Sequence, residues 1–377
     1  MKQILSILLA AIVFTSCSSS RKSQKSELGR LNLIGQYEVA YNKEFKGTTI
    51  GGLSGIDYNA KTGEYYMISD DRSDINPVRY YTAKIYFQQK GLDSIVFTDV
   101  NYLKRKDGSL FPSFKKNEVE AADPEALRYN PKTDQMVWSS EGERQVTKDK
   151  RILTNPFVAI TSKEGAYIDT FILPEQFRMQ ATENGPRRNG VFEGLSFADN
   201  YKTLYVSLEE PLYQDGPRAD IHDTTAWTRI IKFDVASKKP VAQYAYHLEP
   251  IAYAPKPADG FKVNGISDIM TVNDHSLLSI ERSYSVGRVN SSIKVFEVEL
   301  RGAQDINAIH GLSNLKDIKP VKKKLLIDMD SLGILIDNIE GVTFGPTLPN
   351  GHRTLVFVSD NNFNEQQHTQ FFVYEIL

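Results

Sequence analysis

One sequence pattern recurs five times along the chain and constrains its fold more than any other feature. Each copy has a short or acidic residue, then Gly or Ala, an aliphatic residue, a turn, and an alternating apolar run that ends near a Ser and an acid. The aliphatic residue falls on Ile56, Leu127, Leu195, Ile266 and Val342, with spacings of 71, 68, 71 and 76 residues. A repeat of this length indicates an architecture in which every copy is one structural unit.

Each copy has the features of a β-hairpin. Its two apolar runs are short, rich in aromatic and β-branched residues, and separated by turn formers such as "NAKTG" (59–63) and "LPNGH" (348–352). In an antiparallel pair, the start of the first strand neighbours the end of the second. The predicted register therefore places four pairs directly opposite each other: Ser54 and Asp70, Glu125 and Glu141, Glu193 and Glu209, and Glu340 and Asp360.

Further strand-like pairs between the hairpins complete units of four strands. After the fifth hairpin only "QFFVYEIL" (370–377) remains, and the N-terminal "RLNLIGQYEVAY" (30–41) can supply the missing strand. Repeated four-stranded units closed by the opposite terminus predict an all-β fold, a β-propeller with five blades over residues 31–377. A sixth blade built from the "NGVFE" (189–193) or "HGLSNLKD" (310–317) neighbourhood stays an alternative.

The N-terminal segment predicts export and lipid attachment. A cationic residue precedes an apolar run over residues 4–14, which is too short to span a bilayer and is typical of a signal peptide. Cys17 follows two small residues and resembles the lipidated cysteine of a bacterial lipoprotein, with ordinary secretion as the alternative. We therefore expect a signal over residues 1–17, a flexible tether over 18–30, and a membrane-anchored protein of the cell envelope, facing the periplasm or the exterior.

Charge and composition exclude several functional classes. The chain has 45 Lys and Arg against 47 Asp and Glu, so no basic surface indicates nucleic-acid binding. Cys17 is the only cysteine, which leaves the predicted domain without disulfides or thiol chemistry. No P-loop, dinucleotide fingerprint or zinc-like spacing is present. Any electrostatic function must therefore lie in the local arrangement of side chains. We also expect a monomer.

The repeated acids predict a metal site. If the first strand of each unit is innermost, the acids converge on one mouth of the central channel. The predicted metal ligands are Asp70, Glu125, Glu141, Glu193, Glu209, Glu281, Glu340 and Asp360. So many carboxylates would raise one another's pKa unless cations neutralised them, and Ca²⁺ accepts about six to eight oxygen ligands in flexible geometry. We predict calcium as the cofactor; the alternative is that these acids only accept backbone N–H bonds in turns.

Two arginines interrupt the acidic ends of the repeats. Arg72 in "SDDRS" and Arg282 in "IERSY" carry planar guanidinium groups that suit bidentate binding of phosphate or carboxylate. We predict that they bind an anionic small-molecule substrate, with a plain ion pair as the alternative. A carboxylate at the same mouth, Glu193 or Glu209, is the predicted catalytic proton acceptor.

The motifs together resemble a known family. The stretches are "GGLSGIDY", "YYMISDDRS", "DPEALRY", "FEGLSF", "LYVSLEEPL", "NGISDI", "LLSIERSY", "IEGVTFG" and "LVFVSDNNF". This set is similar to the phytase-like family, described as having esterase-like activity of phytase, from about Leu31 to Leu377. The resemblance implies an exported β-propeller with phosphoester or ester hydrolase activity. The motifs do not match the calcium-dependent β-propeller phytases, and the Glu-Gly start of an inner strand is similar to gluconolactonase and regucalcin propellers.

These observations lead to one functional hypothesis and two alternatives. The first is a calcium-dependent hydrolase of phosphate esters or related anionic esters. The second is a non-catalytic envelope lipoprotein that binds a glycan, a peptide or a partner at the propeller mouth, because a fold does not specify a chemistry. The third is a lactonase-type enzyme.

Overall fold

A computed structural model describes residues 28–223 and 225–377, where the chain forms five four-stranded antiparallel sheets. The predicted signal segment and Cys17 lie outside the described residues. Helical structure in the described part is restricted to three 3₁₀ turns, at Glu175–Phe177, Tyr213–Asp215 and Met329–Leu332. No helix in that part has the length and hydrophobicity required to cross a bilayer.

The strands follow one another around the disc in chain order. The N-terminal part contains β1 (Leu31–Val39), β2 (Glu44–Phe45) and β3 (Thr48–Thr49). Blade 1 consists of β4 (Leu53–Asn59), β5 (Glu64–Ser69), β6 (Arg79–Gln88) and β7 (Gly91–Tyr102). The next segment contains β8 (Pro124–Asn130), β9 (Gln135–Ser140), β10 (Glu143–Val146), β11 (Arg151–Thr154), β12 (Phe157–Ser162) and β13 (Tyr167–Thr170). Blade 2 is β8, β9, β12 and β13, while β10 and β11 form a separate hairpin.

The second half of the chain completes the ring. Blade 3 consists of β14 (Phe192–Ala198), β15 (Thr203–Leu208), β16 (Trp227–Asp234) and β17 (Lys239–His247). Blade 4 consists of β18 (Lys262–Asn273), β19 (Ser276–Ser285), β20 (Ser292–Glu299) and β21 (Lys322–Asp328). Blade 5 consists of β22 (Asn338–Phe344), β23 (Thr354–Asp360), β24 (Thr369–Ile376) and the N-terminal β1. The predicted five-bladed propeller and its closure by the N-terminal strand are confirmed.

The first strand of each blade is innermost and packs against the first strands of both neighbouring blades. Apolar side chains fill the space between blades, as where Val158 of blade 2 and Val206 of blade 3 share one fully buried cluster. Backbones near the axis approach closely, so a Cβ at Gly341 of β22 would lie 3.0 Å from the Ile56 nitrogen of β4. This crowding explains why Gly or Ala recurs after the acid in most of the repeats.

The predicted pairing register of the acids is wrong, because each inner strand carries a β-bulge. Ser54, Glu193 and Glu340 each sit at a bulge, between residues whose pairing to the second strand shifts by one. The Asp70 N–H therefore donates to the Gly52 carbonyl across the pair, and the Glu209 N–H donates to the Val191 carbonyl. Asp70 does not face Ser54, and Glu209 does not face Glu193. A bulge re-aims the side chain of its extra residue. The acids of the inner strands and those of the second strands still reach the same end of the channel, but they are staggered along it.

The predicted alignment of the fourth repeat is wrong by three residues. In blade 4 the bulge lies at Ser267, and Ile269, not Ile266, corresponds to the aliphatic residue of the other inner strands. The strand position that holds an acid in the other blades is consequently occupied by Arg282. Glu281 precedes it, and neighbouring residues on a strand point to opposite faces.

A buried arginine closes the central channel at the propeller axis. Arg128 of β8 donates hydrogen bonds to the carbonyl oxygens of the aliphatic residues in all five inner strands. These acceptors are Leu195 at 2.6 Å, Ile269 at 3.0 Å, Leu127 at 3.2 Å, Val342 at 3.3 Å, and Ile56. A guanidinium has five N–H donors in one plane, which suits a ring of acceptors around an axis.

Asp268 of blade 4 neutralises this arginine. Its carboxylate lies 2.7 and 2.9 Å from Arg128 Nη2, and it accepts backbone N–H bonds from Ile269 and Val342. Both side chains are almost completely buried, with 2% and 1% exposed. A buried ion pair is stable only when further hydrogen bonds satisfy both partners, as they do here.

We expect Arg128→Met to lower the free energy of unfolding by about 3–5 kcal/mol, because it leaves the Asp268 carboxylate buried without a cation. Urea unfolding of the domain measures this loss. The double variant Arg128→Met/Asp268→Asn should lose less than the two single variants added together. A loss below about 1 kcal/mol in Arg128→Met would contradict a central role for this contact.

Candidate functional site

The end of the channel where the inner strands begin is a cavity of about 650 Å³, called here the acidic mouth. Its carboxylates come from four blades and from the residue before β22, and they are Asp70, Glu125, Glu141, Glu193, Glu209, Glu340 and Asp337. Asp360 adjoins them closely enough for its charge to raise the pKa of Asp70. The structure thus brings together seven of the eight residues that the sequence predicts as metal ligands.

Glu281 is the predicted ligand that lies elsewhere. Its carboxylate faces the flank of blade 4, where it accepts hydrogen bonds from Tyr246 Oη at 2.8 Å, Asn264 Nδ2 at 2.8 Å and Lys323 Nζ at 2.6 Å. These contacts satisfy the carboxylate with the chain's own donors. Glu281 and Asn264 therefore do not belong to the acidic mouth, as the corrected alignment of blade 4 requires.

Local structure decides which blades supply an inner carboxylate. Blades 2, 3 and 5 place Glu125, Glu193 and Glu340 in the irregular part of the inner strand. Blades 1 and 4 have serines there, and these hydroxyls donate to the neighbouring blade instead: Ser54 Oγ to the Glu125 carbonyl at 2.6 Å, and Ser267 Oγ to the Ile339 carbonyl at 2.9 Å. The serines link blades, whereas the carboxylates face the cavity.

Some of the acids also accept bonds from the chain. The Val191 N–H donates to Glu141, Asn338 Nδ2 donates to Glu340 at 2.8 Å, and the Asn362 N–H donates to Asp360 at 2.8 Å. Within the described residues, Glu125 and Glu193 have no such backbone or cationic donor, although each is only 6% exposed. Turn capping therefore accounts for part of the set and leaves these two carboxylates unexplained.

Two groups of three carboxylates have the spacing of a metal site, and they share Glu125. One group is Asp70, Asp123 and Glu125, and the other is Glu125, Glu141 and Glu193; in each, three oxygens lie within 4.8 Å of one another. Calcium binds oxygen at about 2.3–2.6 Å, so ligand oxygens on one ion are at most about 5 Å apart. The donors are all hard oxygens, which fits Ca²⁺ and not a softer metal.

Burial and mutual repulsion raise the pKa values of these acids. For Asp70, Glu125 and Glu193 the pKa lies well above its usual value, first because of burial and then because of neighbouring carboxylates. Burial also raises the pKa of Glu141 and Glu340 to about 8. Protons or bound cations must therefore compensate much of the negative charge near neutral pH.

Arg282 provides a positive charge within the acidic mouth. It lies 2.6 Å from Glu209 Oε1 and 3.5 Å from Glu340 Oε1, and it donates to Asn338 Oδ1 at 2.9 Å. These carboxylates raise the pKa of Arg282. The Arg282 guanidinium is thus held in place, and its buried Nε–H donor has no partner within the described residues.

Arg72, the other predicted substrate-binding residue, is held outside the cavity. Its Nη2 lies 3.0 Å from Glu143 and its Nε 3.3 Å from Asp123, while the guanidinium stacks 3.6 Å from the centroid of the Phe114 ring. This is the ion-pair alternative that the sequence left open. Arg72 orients Asp123 and thereby supports one of the two carboxylate groups.

The sequence interpretation missed two elements of the site. Asp123 lies two residues before Glu125 in "DPEALRY", and this second acid next to Pro124 was an available signal. Asp123 is buried, and burial raises its pKa to about 6. The second element is Arg128, which forms the base of the channel; a single arginine in a strand carries no pattern that distinguishes it from a surface residue.

We expect the metal-free protein to lose stability as the pH rises from about 5 to 8. The folded state keeps protons on Glu141 and Glu340 up to about pH 8, whereas the unfolded chain releases them near the ordinary value of 4.5. Because the folded state binds more protons, this contribution is complete below the unfolded pKa and is lost as the pH passes the folded pKa. Thermal unfolding in chelator across this range measures the effect.

Added Ca²⁺ should stabilise the protein more at pH 8 than at pH 5, because the ion competes with fewer protons there. The variant Glu141→Gln should flatten the pH dependence in chelator. A melting temperature that stays constant or rises from pH 5 to 8 without metal would show that these carboxylates are not protonated in the folded state.

A family model agrees with this architecture. The model described as "Phytase-like: Esterase-like activity of phytase" matches residues 48–363, which is most of the chain. None of the curated proteins matches the chain.

Several solved structures are similar to the chain at low identity. An endo-arabinase from Bacteroides thetaiotaomicron VPI-5482 is 11% identical with a TM-score of 0.43, and the match covers 87% of this chain and 94% of that one. An exo-beta-1,3-galactanase from Phanerochaete chrysosporium is 12% identical with a TM-score of 0.46, covering 90% and 64%. A protein of unknown function from Dyadobacter fermentans DSM 18053 is 10% identical with a TM-score of 0.42, covering 92% and 99%. This chain therefore spans less than two thirds of the galactanase.

Proposed function

The chain belongs to the phytase-like family, and from this premise we propose that it is a metal-dependent hydrolase of phosphate esters or related anionic esters. The observation that supports this most is the pair of carboxylate groups that share Glu125 beside an arginine in one cavity. The carboxylates are suited to bind a divalent cation, and the arginine is suited to bind an anion.

Calcium is the cation that we propose for both groups. Asp70 and Asp123 would hold one ion, Glu141 and Glu193 a second, and Glu125 would contribute to both. When bound, such an ion polarises an ester oxygen and neutralises the charge that develops during hydrolysis. Phosphate esters suit this arrangement because they bring negative charge to a site that contains both cations and a guanidinium.

Arg282 would bind and orient the anionic group of the substrate. Glu209 and Asn338 hold its two terminal nitrogens, which leaves the guanidinium little freedom to turn away from the cavity. Arg282 lines the cavity, and its positive charge is the one that we assign to the anionic group of the substrate. Fixing the anion in this way lowers the entropy cost of reaching the reacting geometry.

One Glu193 oxygen belongs to the second carboxylate group, and the other oxygen is the one that we assign as proton acceptor. The ion pair with Arg282 at 2.6 Å already occupies Glu209, the other predicted candidate, and makes it a positioning residue. In the proposed reaction a water oxygen attacks the phosphorus or carbonyl carbon, its proton passes to Glu193, and the leaving alkoxide takes a proton from solvent. A base within reach of the attacking water contributes about 10²–10⁴-fold to such a rate.

The test combines metal content with an ester panel. The purified mature domain should contain calcium by elemental analysis, cleave phosphate esters in preference to sugar lactones, lose activity on chelation and regain it with Ca²⁺. Glu125→Gln should lower metal affinity by more than the ~10–100-fold that loss of an outer partner causes, because both carboxylate groups lose a shared member.

Glu281→Gln is the matched control, since it removes a buried carboxylate of blade 4 that lies outside the cavity. It should keep metal content and activity when assayed well below its melting temperature. Full activity without metal would overturn the mechanism. No cleavage of any ester by a calcium-loaded protein would favour a role in binding.

We also propose that the protein acts outside the cytoplasm on a lipid anchor at Cys17. The signal-like N-terminal segment supports this proposal. In a bacterial host, the full chain should incorporate labelled palmitate and fractionate with membranes, whereas Cys17→Ala should not be labelled. A secreted protein that carries no label and is cleaved beyond Cys17 would overturn the proposed lipid anchor but not the proposed export.

A further inference from the structure

The propeller has a second cavity at the end opposite to the acidic mouth. It has a volume of about 630 Å³ and is formed by the hairpin turns of the five inner strands, with Arg128 at its base. We call it the lower cavity and define it by Asp57, Tyr58, Phe197, Tyr201, Thr271 and Thr343. Small-molecule sites have volumes of about 300–1,000 Å³, so the lower cavity has the size of a ligand site.

Aromatic rings form much of its wall. Phe197 packs against Tyr201 with ring centroids 5.3 Å apart, and Tyr58 packs against Tyr65 at 4.7 Å. Phe197, Tyr201 and Tyr58 are each half-buried and also line the cavity. The ring of Phe344 already has the Arg353 guanidinium 4.1 Å from its centroid, so a cation of the chain occupies this ring. The faces of the remaining rings attract a cation electrostatically when it lies over them.

The base of the lower cavity contains a carboxylate without a cation of its own. Asp57 accepts the Tyr129 N–H at 2.8 Å and the Thr343 hydroxyl at 3.3 Å, and the described residues give it no ion pair. The neighbouring Arg128 is committed to Asp268 and to the five axial carbonyls. Burial raises the pKa of Asp57, and the nearby Arg128 charge offsets only part of this rise.

Further observations describe the polar and charged groups of the lower cavity. The buried Thr271 Oγ1 in its wall has no hydrogen-bond partner within the described residues. Asp57 belongs to neither carboxylate group with metal spacing, since both of those found in the described residues lie in the acidic mouth. At the rim, Asp199 and Asp274 outnumber Lys61, so the surroundings favour a positive ligand.

We propose that the lower cavity binds the ammonium group of an organic cation, with Asp57 as counterion and the rings of Tyr58, Phe197 and Tyr201 around it. An organic ammonium combines charge with apolar surface, which matches a carboxylate surrounded by aromatic rings. A metal ion would need more oxygen ligands than Asp57 provides. A neutral ligand would leave the carboxylate unpaired.

The test compares choline with its neutral isostere 3,3-dimethylbutan-1-ol, using the whole mature domain. Titration calorimetry or ligand-observed NMR should show saturable binding of choline and of tetramethylammonium, and binding of the neutral alcohol weaker by at least about tenfold. Glycerophosphocholine, measured in parallel, distinguishes a lipid headgroup from a free ammonium compound. Equal binding of choline and the neutral alcohol, or no binding of any probe, would overturn the proposal.

Variants distinguish the counterion from general electrostatics. Asp57→Asn keeps the acceptor for the Tyr129 N–H and should weaken choline binding about tenfold or more. Asp199→Asn is the matched control: it removes the same charge at the exposed rim and should change affinity by no more than about twofold in physiological salt. Equal losses in the two variants would overturn the assignment of Asp57.

A ring variant tests the aromatic wall. Phe197→Leu should weaken choline binding about threefold or more, whereas Phe197→Tyr should retain it. Each variant is accepted only if its thermal unfolding matches that of the unmodified protein. The site is independent of hydrolysis, so choline binding is expected even if the protein cleaves no ester.

Discussion

A single guanidinium on the pseudo-symmetry axis is the contact on which the rest of the disc depends. The inner strands converge with backbone carbonyls directed at the axis, and five carbonyl dipoles at close range need a donor that reaches all of them. Arg128 provides it, with Asp268 as counterion from a blade on the other side of the ring. Because the strands are fixed to one another at this level, the bulges and turns above and below it are held in place.

The same contact separates two cavities with different electrostatic requirements. In the acidic mouth, several carboxylates from four blades compete for few cations, and their raised pKa values reflect that imbalance. At the base of the lower cavity one carboxylate, Asp57, lies near aromatic rings, and two more, Asp199 and Asp274, lie at the rim. With Arg128 between them, a ligand at one end does not contact the other, so the two sites can be tested separately.

The fold was accessible from the sequence because every blade begins with the same hairpin pattern, and a hairpin depends mainly on local turn residues and alternation. The site was accessible only in part. In the fourth repeat, Ile266 and Ile269 are both aliphatic, so alignment alone did not show that the bulge falls at Ser267. That ambiguity placed Glu281 in the site and obscured the fact that Arg282 replaces an acid. Arg128 and Asp268 were missed since their role depends on five strands meeting at the axis, which no single segment encodes.

The pairing of β1 with β24 determines at which end of the disc the preceding segment attaches. Leu31 pairs with Ile376, next to Arg353 and the turn side of blade 5, while Asp360 at the other end of β23 adjoins the acidic mouth. A chain leading into Leu31 consequently joins the disc on the side of the lower cavity. The attachment point is therefore nearer to the aromatic cavity than to the carboxylate-lined opening, and any body held close to Leu31 would obstruct the former before the latter.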